Sequence, residues 1–127
     1  MNNLKWQSPL VLWTLIILVL TWYPKVEVPD IGIDAEDKIA HIAVFALWGV
    51  LLLRAVSKYE INRLSFAVKL TMISGTLFAV IDESVQKMVP GRFFSVYDAL
   101  ANVIGVWLSA VFFTYVVLPL RNRLKRR

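Results

Sequence analysis

Four long apolar runs dominate the chain, and polar residues sit almost entirely between them. The first runs from Pro9 to Tyr23, PLVLWTLIILVLTWY. Ser8 is placed to cap it, and Pro9 suits a first helical position, where its missing N–H has no partner in any case. Pro24 ends the run. Residues 24–36 form a loop, broken by Pro24, Pro29 and Gly32. The second run starts near Asp37 and continues to about Val56, the third goes from about Leu64 to Gln86, and the fourth from Tyr97 to Leu118. A helix crossing a bilayer needs about 17–25 mostly apolar residues. The pattern therefore predicts an all-α membrane bundle of four transmembrane helices, spanning about 9–23, 38–56, 64–86 and 97–118 in one domain over 1–127. The first run is short enough for a secretory signal peptide, but no A-x-A cleavage site follows it, and an uncleaved span is expected.

Composition changes this picture little. The sequence is 58% hydrophobic, above the roughly 45–50% usual for soluble domains. The net charge of +5 would raise a nucleic-acid question in a soluble protein. Here basic residues flank spans, and no nucleic-acid partner is expected. With no cysteine, disulfides and thiolate chemistry are excluded.

Charge does set an expected topology. Arg54, Lys58, Arg63 and Lys69 surround the second connection against Glu60 alone, and the tail carries Arg121, Arg123, Lys125, Arg126 and Arg127. The first loop is rich in acids: Glu27, Asp30, Asp34, Glu36 and Asp37. The positive-inside rule puts both termini and the second connection in the cytoplasm. The first and third connections then face outward. Trp22, Tyr23, Phe93, Phe94 and Tyr97 fall near the outer interface, which suits aromatic rings. Lys69 is placed to snorkel.

In that frame the remaining polar residues gather at one depth. Asp37, Lys38 and His41 open the second helix; Asp82, Glu83 and Gln86 close the third; Arg92 and Ser95 lie in the loop; Asp98 and Asn102 open the fourth. Asp37, His41 and Phe45 recur every four residues and share a face, as do Asp98 and Asn102. Ala101, Gly105 and Ser109 form a small-residue ridge that permits close helix packing. Ionisable groups this deep should pair or face a wet cavity.

These residues carry a family resemblance. DKIAHIAVF at 37–45 and DESVQKMVPGRFFSVYDALANVIG at 82–105 resemble the VanZ-like family, with its D-K-x-x-H, D-E-x-x-Q, P-G-R and D-x-x-x-N-x-x-G elements. The family is named for a protein associated with resistance to the glycopeptide teicoplanin. The resemblance implies a role in a bacterial cell envelope, in the plasma membrane, and no particular reaction.

The leading expectation is a protein that binds or handles an anionic amphiphile at the outer leaflet: a lipid, a lipid-linked precursor or a glycopeptide. The binding set would be Asp37, Lys38, His41, Asp82, Glu83, Gln86, Arg92, Asp98 and Asn102. Lys38 and Arg92 would hold the anionic group, since a guanidinium forks onto phosphate or carboxylate; the competing role for Arg92 is a salt bridge to Asp98, Glu83 or Asp82. Asp82 and Glu83 point about 100° apart on a helix, one facing the cavity and the other pairing with Lys38, Lys87 or Arg92. Were the protein a hydrolase or transferase, His41 and one of Asp82, Glu83 or Asp98 would be the acid–base pair. No metal-ligand spacing is recognisable, and neither metal nor cofactor is expected. The structural alternative is a polar network that only specifies packing, with His41 bonded to Asp82, Glu83 or Asp98 and Ser95 capping the fourth helix. Trp48, Trp107 and Tyr115 are expected to pack or face lipid. An oligomer stays open, and a transporter would need one, because the chain has no inverted repeat.

Overall fold

The computed structural model describes residues 4–24 and 34–126. The described chain is all-helical. Helix α1 spans Leu4–Trp22, α2 Asp34–Ser57, α3 Ile61–Gln86 and α4 Val96–Phe112; a π-helical turn, Phe113–Val117, joins α4 to the short α5, Leu118–Leu124. Four helical stretches are long and apolar enough to cross a membrane. Even α1, at 19 residues, reaches roughly 28 Å at 1.5 Å per residue, close to a hydrocarbon core of about 30 Å. Most of the loop expected at 24–36, with Glu27 and Asp30, falls outside the described residues, and α2 begins at Asp34, ahead of Asp37.

Helix α1 differs from expectation at its start. It begins at Leu4, so Ser8 is no cap and Pro9 lies inside the helix. An internal proline leaves the carbonyl four residues earlier without its N–H. That carbonyl is Lys5 O, and Arg54 Nη2 donates to it at 3.1 Å. Arg54 Nη1 also reaches Trp6 O at 3.4 Å, with its guanidinium 5.0 Å from the Trp6 ring centre. An arginine at the end of α2 thus supplies the donor that the proline removed.

The α2–α3 connection is tight. Lys58 and Tyr59 have positive φ of 49° and 63°, which costs L-residues about 1–2 kcal/mol each. Ser57 holds the turn: its carbonyl accepts from Glu60 N at 2.8 Å and its hydroxyl from Tyr59 N at 3.1 Å. The Tyr59 ring stacks on Phe113 at 5.6 Å under the Arg121 guanidinium at 4.0 Å. Trp6, Arg54, Tyr59 and Arg121 therefore share one end of the bundle.

Helices α2 and α4 pack most closely. A Cβ on Gly105 would collide with Ile42 O and lie 3.0 Å from Ala46 N, so only glycine lets these backbones approach so near. Ala101, Gly105 and Ser109 are all buried along this seam, as the small-residue ridge predicts. A Cβ on Gly75 would press on Val106, marking a similar approach of α3 to α4. The core beside the seam holds Ile17, Phe45, Trp48, Ala79 and Val106, with Phe78 against Phe45 at 5.5 Å and Trp48 at 5.1 Å. Trp13 Nε1 donates to Val44 O at 3.0 Å and Trp48 Nε1 to Thr14 Oγ1 at 2.9 Å, tying α1 to α2. Trp48 is buried, whereas Trp107 and Tyr115 are exposed on the lipid-facing side along with Leu15, Phe66, Ile73 and Val111. Lys69 is exposed as well.

The π turn sits just before Pro119. Leu118 N bonds Phe113 O, five residues back. Proline interrupts the regular ladder, and a widened turn re-pairs the backbone there.

Candidate functional site

The polar residues expected at one depth do come together, at the end of the bundle opposite Trp6 and Arg54. They surround a cavity of about 440 Å³. Asp37, Lys38, His41, Asp82, Gln86, Arg92 and Asp98 line it, with Thr21 and Ser95. Ile17, Leu20, Val44, Phe45 and Phe93 form its apolar wall. Glu83 and Asn102 stand behind the lining, fully buried.

Each polar group has a definite partner. His41 Nδ1 lies 2.9 Å from Asn102 Oδ1. An amide oxygen only accepts, so Nδ1 carries the hydrogen and the neutral ring keeps its lone pair on Nε2. His41 is therefore bonded to Asn102, not directly to Asp82, Glu83 or Asp98. Its Nε2 faces Asp37 Oδ1 and Asp98 Oδ2, each 3.9 Å away. Lys38 Nζ forms an ion pair with Asp98 Oδ1 and reaches Asp37 Oδ2 at 3.2 Å. The contacts of His41 with Asn102 and Asp98 and of Lys38 with Asp98 cross the α2–α4 seam, so the close approach at Gly105 sets their lengths.

The two adjacent acids of α3 diverge, as helix geometry requires. Asp82 points to α1, where Thr21 Oγ1 donates to Oδ1 at 2.6 Å; Gln86 Nε2 approaches Oδ2 at 3.5 Å. Glu83 pairs with none of the cations expected for it. Its Oε1 accepts from the Ser95 backbone N at 2.9 Å. Ser95 in turn caps α4, its hydroxyl accepting from Asp98 N at 3.2 Å, as the spacing predicts.

Arg92 makes contacts that were not weighed for it in the sequence. Among the described residues it makes no salt bridge to Asp98, Glu83 or Asp82. Its Nη2 donates to Leu20 O at 3.1 Å, its Nε to Tyr23 O at 3.1 Å and its Nη1 to Gln86 Oε1 at 3.0 Å. The regular partner of Leu20 O would be the N–H of residue 24, and residue 24 is proline. Arg92 therefore does at the last turn of α1 what Arg54 does at the first, and its positive charge suits a helix C-terminus. Three of its five N–H groups are used in these bonds.

Thr21 escaped the sequence reading. Thr14 and Thr21 are the two threonines in the first apolar run, seven positions apart and so on one helix face. Both bond across helices. That pair was the available signal for the face α1 turns inward.

A family model described as VanZ/LLP1 matches residues 4–118. The match takes in all four long helices and every residue of the cavity wall, and the chain belongs to this family. No curated protein and no solved structure matched the chain.

Proposed function

We propose that this membrane protein of the VanZ/LLP1 family binds an anionic amphiphile in the cavity at the outer end of its bundle. The ligand class is an envelope lipid, a lipid-linked precursor or a lipophilic glycopeptide such as teicoplanin. The cavity carries the proposal. One wall is apolar and the other holds seven ionisable or amide side chains, which suits a molecule with a chain and a headgroup. Its 440 Å³ falls within the about 300–1,000 Å³ typical of small-molecule sites. Ala40 and Phe93 line it and are exposed, so the cavity reaches the surface, where a lipid would enter from the side.

In this reading Arg92 and Lys38 keep part of their donor capacity for the headgroup, while Asp82, His41 and Asp98 orient it. The buried pair Glu83 and Asn102 supports them from behind. The competing reading is a network that only specifies packing. It is favoured by the clamp role of Arg92, so removing Arg92 cannot separate the two.

Ala40→Trp does separate them. Ala40 enters none of the polar contacts, and an indole there would fill the cavity mouth. Native mass spectrometry of the detergent-purified protein should show an anionic lipid adduct on the unaltered chain. The variant should lose it at an unchanged melting temperature. An adduct retained by the variant, or absent from both, would leave the network as packing alone.

A further inference from the structure

Carboxyl groups outnumber basic side chains around the cavity. Asp37, Asp82, Glu83 and Asp98 bring four carboxylates; Lys38 and Arg92 bring two permanent cations. Glu83 is fully buried, and its Oε2 has no hydrogen-bond partner. A cation among these carboxyl groups would offset charge that is costly at the end of a membrane span.

The geometry indicates where such a cation would sit. Lys38 occupies one oxygen of each outer carboxylate, Asp37 Oδ2 and Asp98 Oδ1. The other oxygens, Asp37 Oδ1 and Asp98 Oδ2, face His41 Nε2 at 3.9 Å. That distance is too long for a direct hydrogen bond, which needs about 2.7–3.2 Å. It does suit donors around a shared ion, because ligands about 2.0–2.3 Å from a metal lie up to about 4–4.6 Å from each other. One donor atom from each of Asp37, His41 and Asp98 falls within 4.8 Å of the others. The fully buried Asn102 accepts the Nδ1 hydrogen. Imidazoles that ligate metals typically have such a partner on their other nitrogen.

We propose that Asp37, His41 and Asp98 hold a divalent transition-metal cation whose open positions face the cavity. An imidazole nitrogen with two carboxylates favours Mn²⁺ or Zn²⁺ over Ca²⁺, which prefers oxygen alone. Resting on the amphiphile reading, the same ion adds to the positive charge that Lys38 and Arg92 offer an anionic headgroup. The i,i+4 pair Asp37–His41 comes from α2 and Asp98 from α4, so the site exists only where the seam holds the two helices together.

Mn²⁺ titration of the EDTA-stripped full chain in lipid-free detergent, followed by electron paramagnetic resonance, tests the site. One saturable Mn²⁺ per chain is expected, with hyperfine coupling to a histidine nitrogen and displacement by Zn²⁺. Asp37→Asn and His41→Gln should each weaken binding at least tenfold, and His41→Gln should erase the coupling. The Asp37 side chain is 47% exposed, so its variant keeps the fold even if the histidine variant does not. No saturable binding, or an affinity unchanged by both substitutions, would overturn the site. Lipid retention, read separately on the stripped and on the Mn²⁺-reloaded protein, distinguishes the two proposals. Mn²⁺ binding without lipid retention supports the metal site and sinks the amphiphile reading. EDTA-insensitive lipid retention without Mn²⁺ binding overturns the metal site alone.

Discussion

Gly105→Val will prevent the bundle from assembling. A Cβ at 105 runs into Ile42 O and comes within 3.1 Å of Ile42 C and 3.0 Å of Ala46 N. These are backbone atoms of a helix, and no rotamer change moves them aside. Helix α2 would have to shift bodily, and valine adds two further methyl groups. Overpacking in a well-packed core costs about 1–3 kcal/mol when side chains can yield, so a loss above about 3 kcal/mol is expected here. The site would go with the seam, because His41 precedes Ile42 and bonds Asn102 across it. Size-exclusion chromatography and tryptophan fluorescence in detergent should show aggregate or an unfolded chain for Gly105→Val. Gly105→Ala should fall in between. A Gly105→Val protein that melts like the unaltered one would mean that α2 and α4 do not touch there.

Arg92→Ala should release the last turn of α1. Three donors disappear at once, from Leu20 O, Tyr23 O and Gln86 Oε1. Hydrogen bonds to charged groups are worth about 1.5–3 kcal/mol each in soluble proteins. Interhelical bonds in membranes average nearer 0.6 kcal/mol, so a combined loss of about 2–4 kcal/mol is expected. Arg92→Lys should restore little, since an ammonium cannot span three acceptors set for a planar fork. The proline supplies an internal control. In a Pro24→Ala background Leu20 O can pair within an extended helix, so removing Arg92 should cost less. Unfolding titrations of the four chains in mixed micelles give this coupling energy directly. Equal costs in both backgrounds would show that the orphaned carbonyl is not what Arg92 serves.

The spans, the single polar end and the shared face of Asp37, His41 and Phe45 were legible because each rests on local periodicity. The ridge Ala101–Gly105–Ser109 was legible for the same reason, and it does form the α2–α4 seam. What the sequence did not disclose is which partner each polar group takes. Pro9 reads as a helix start by local rules, yet a donor from Arg54, far along the chain, lets the helix run through it. Arg92 looks made for an anion, and two of its three partners are backbone carbonyls, which leave no mark in a sequence. The same limit hid the gap between His41 and its two carboxylates, because groups divided between α2 and α4 leave no local spacing. Asp82 finds Thr21, sixty-one residues away, because α1 closes the bundle beside it.

The central claim is that a headgroup occupies this cavity, and photolabelling tests it most directly. The full chain would be placed in nanodiscs containing an anionic phospholipid with a diazirine beside its headgroup, irradiated, and mapped by peptide mass spectrometry. The account predicts adducts concentrated on the cavity wall, at Ile17, Leu20, Val44 and Phe93, and lost in Ala40→Trp. Adducts spread over the lipid-facing surface at Leu15, Phe66, Ile73 and Val111, with no excess at the cavity and no change in the variant, would contradict it.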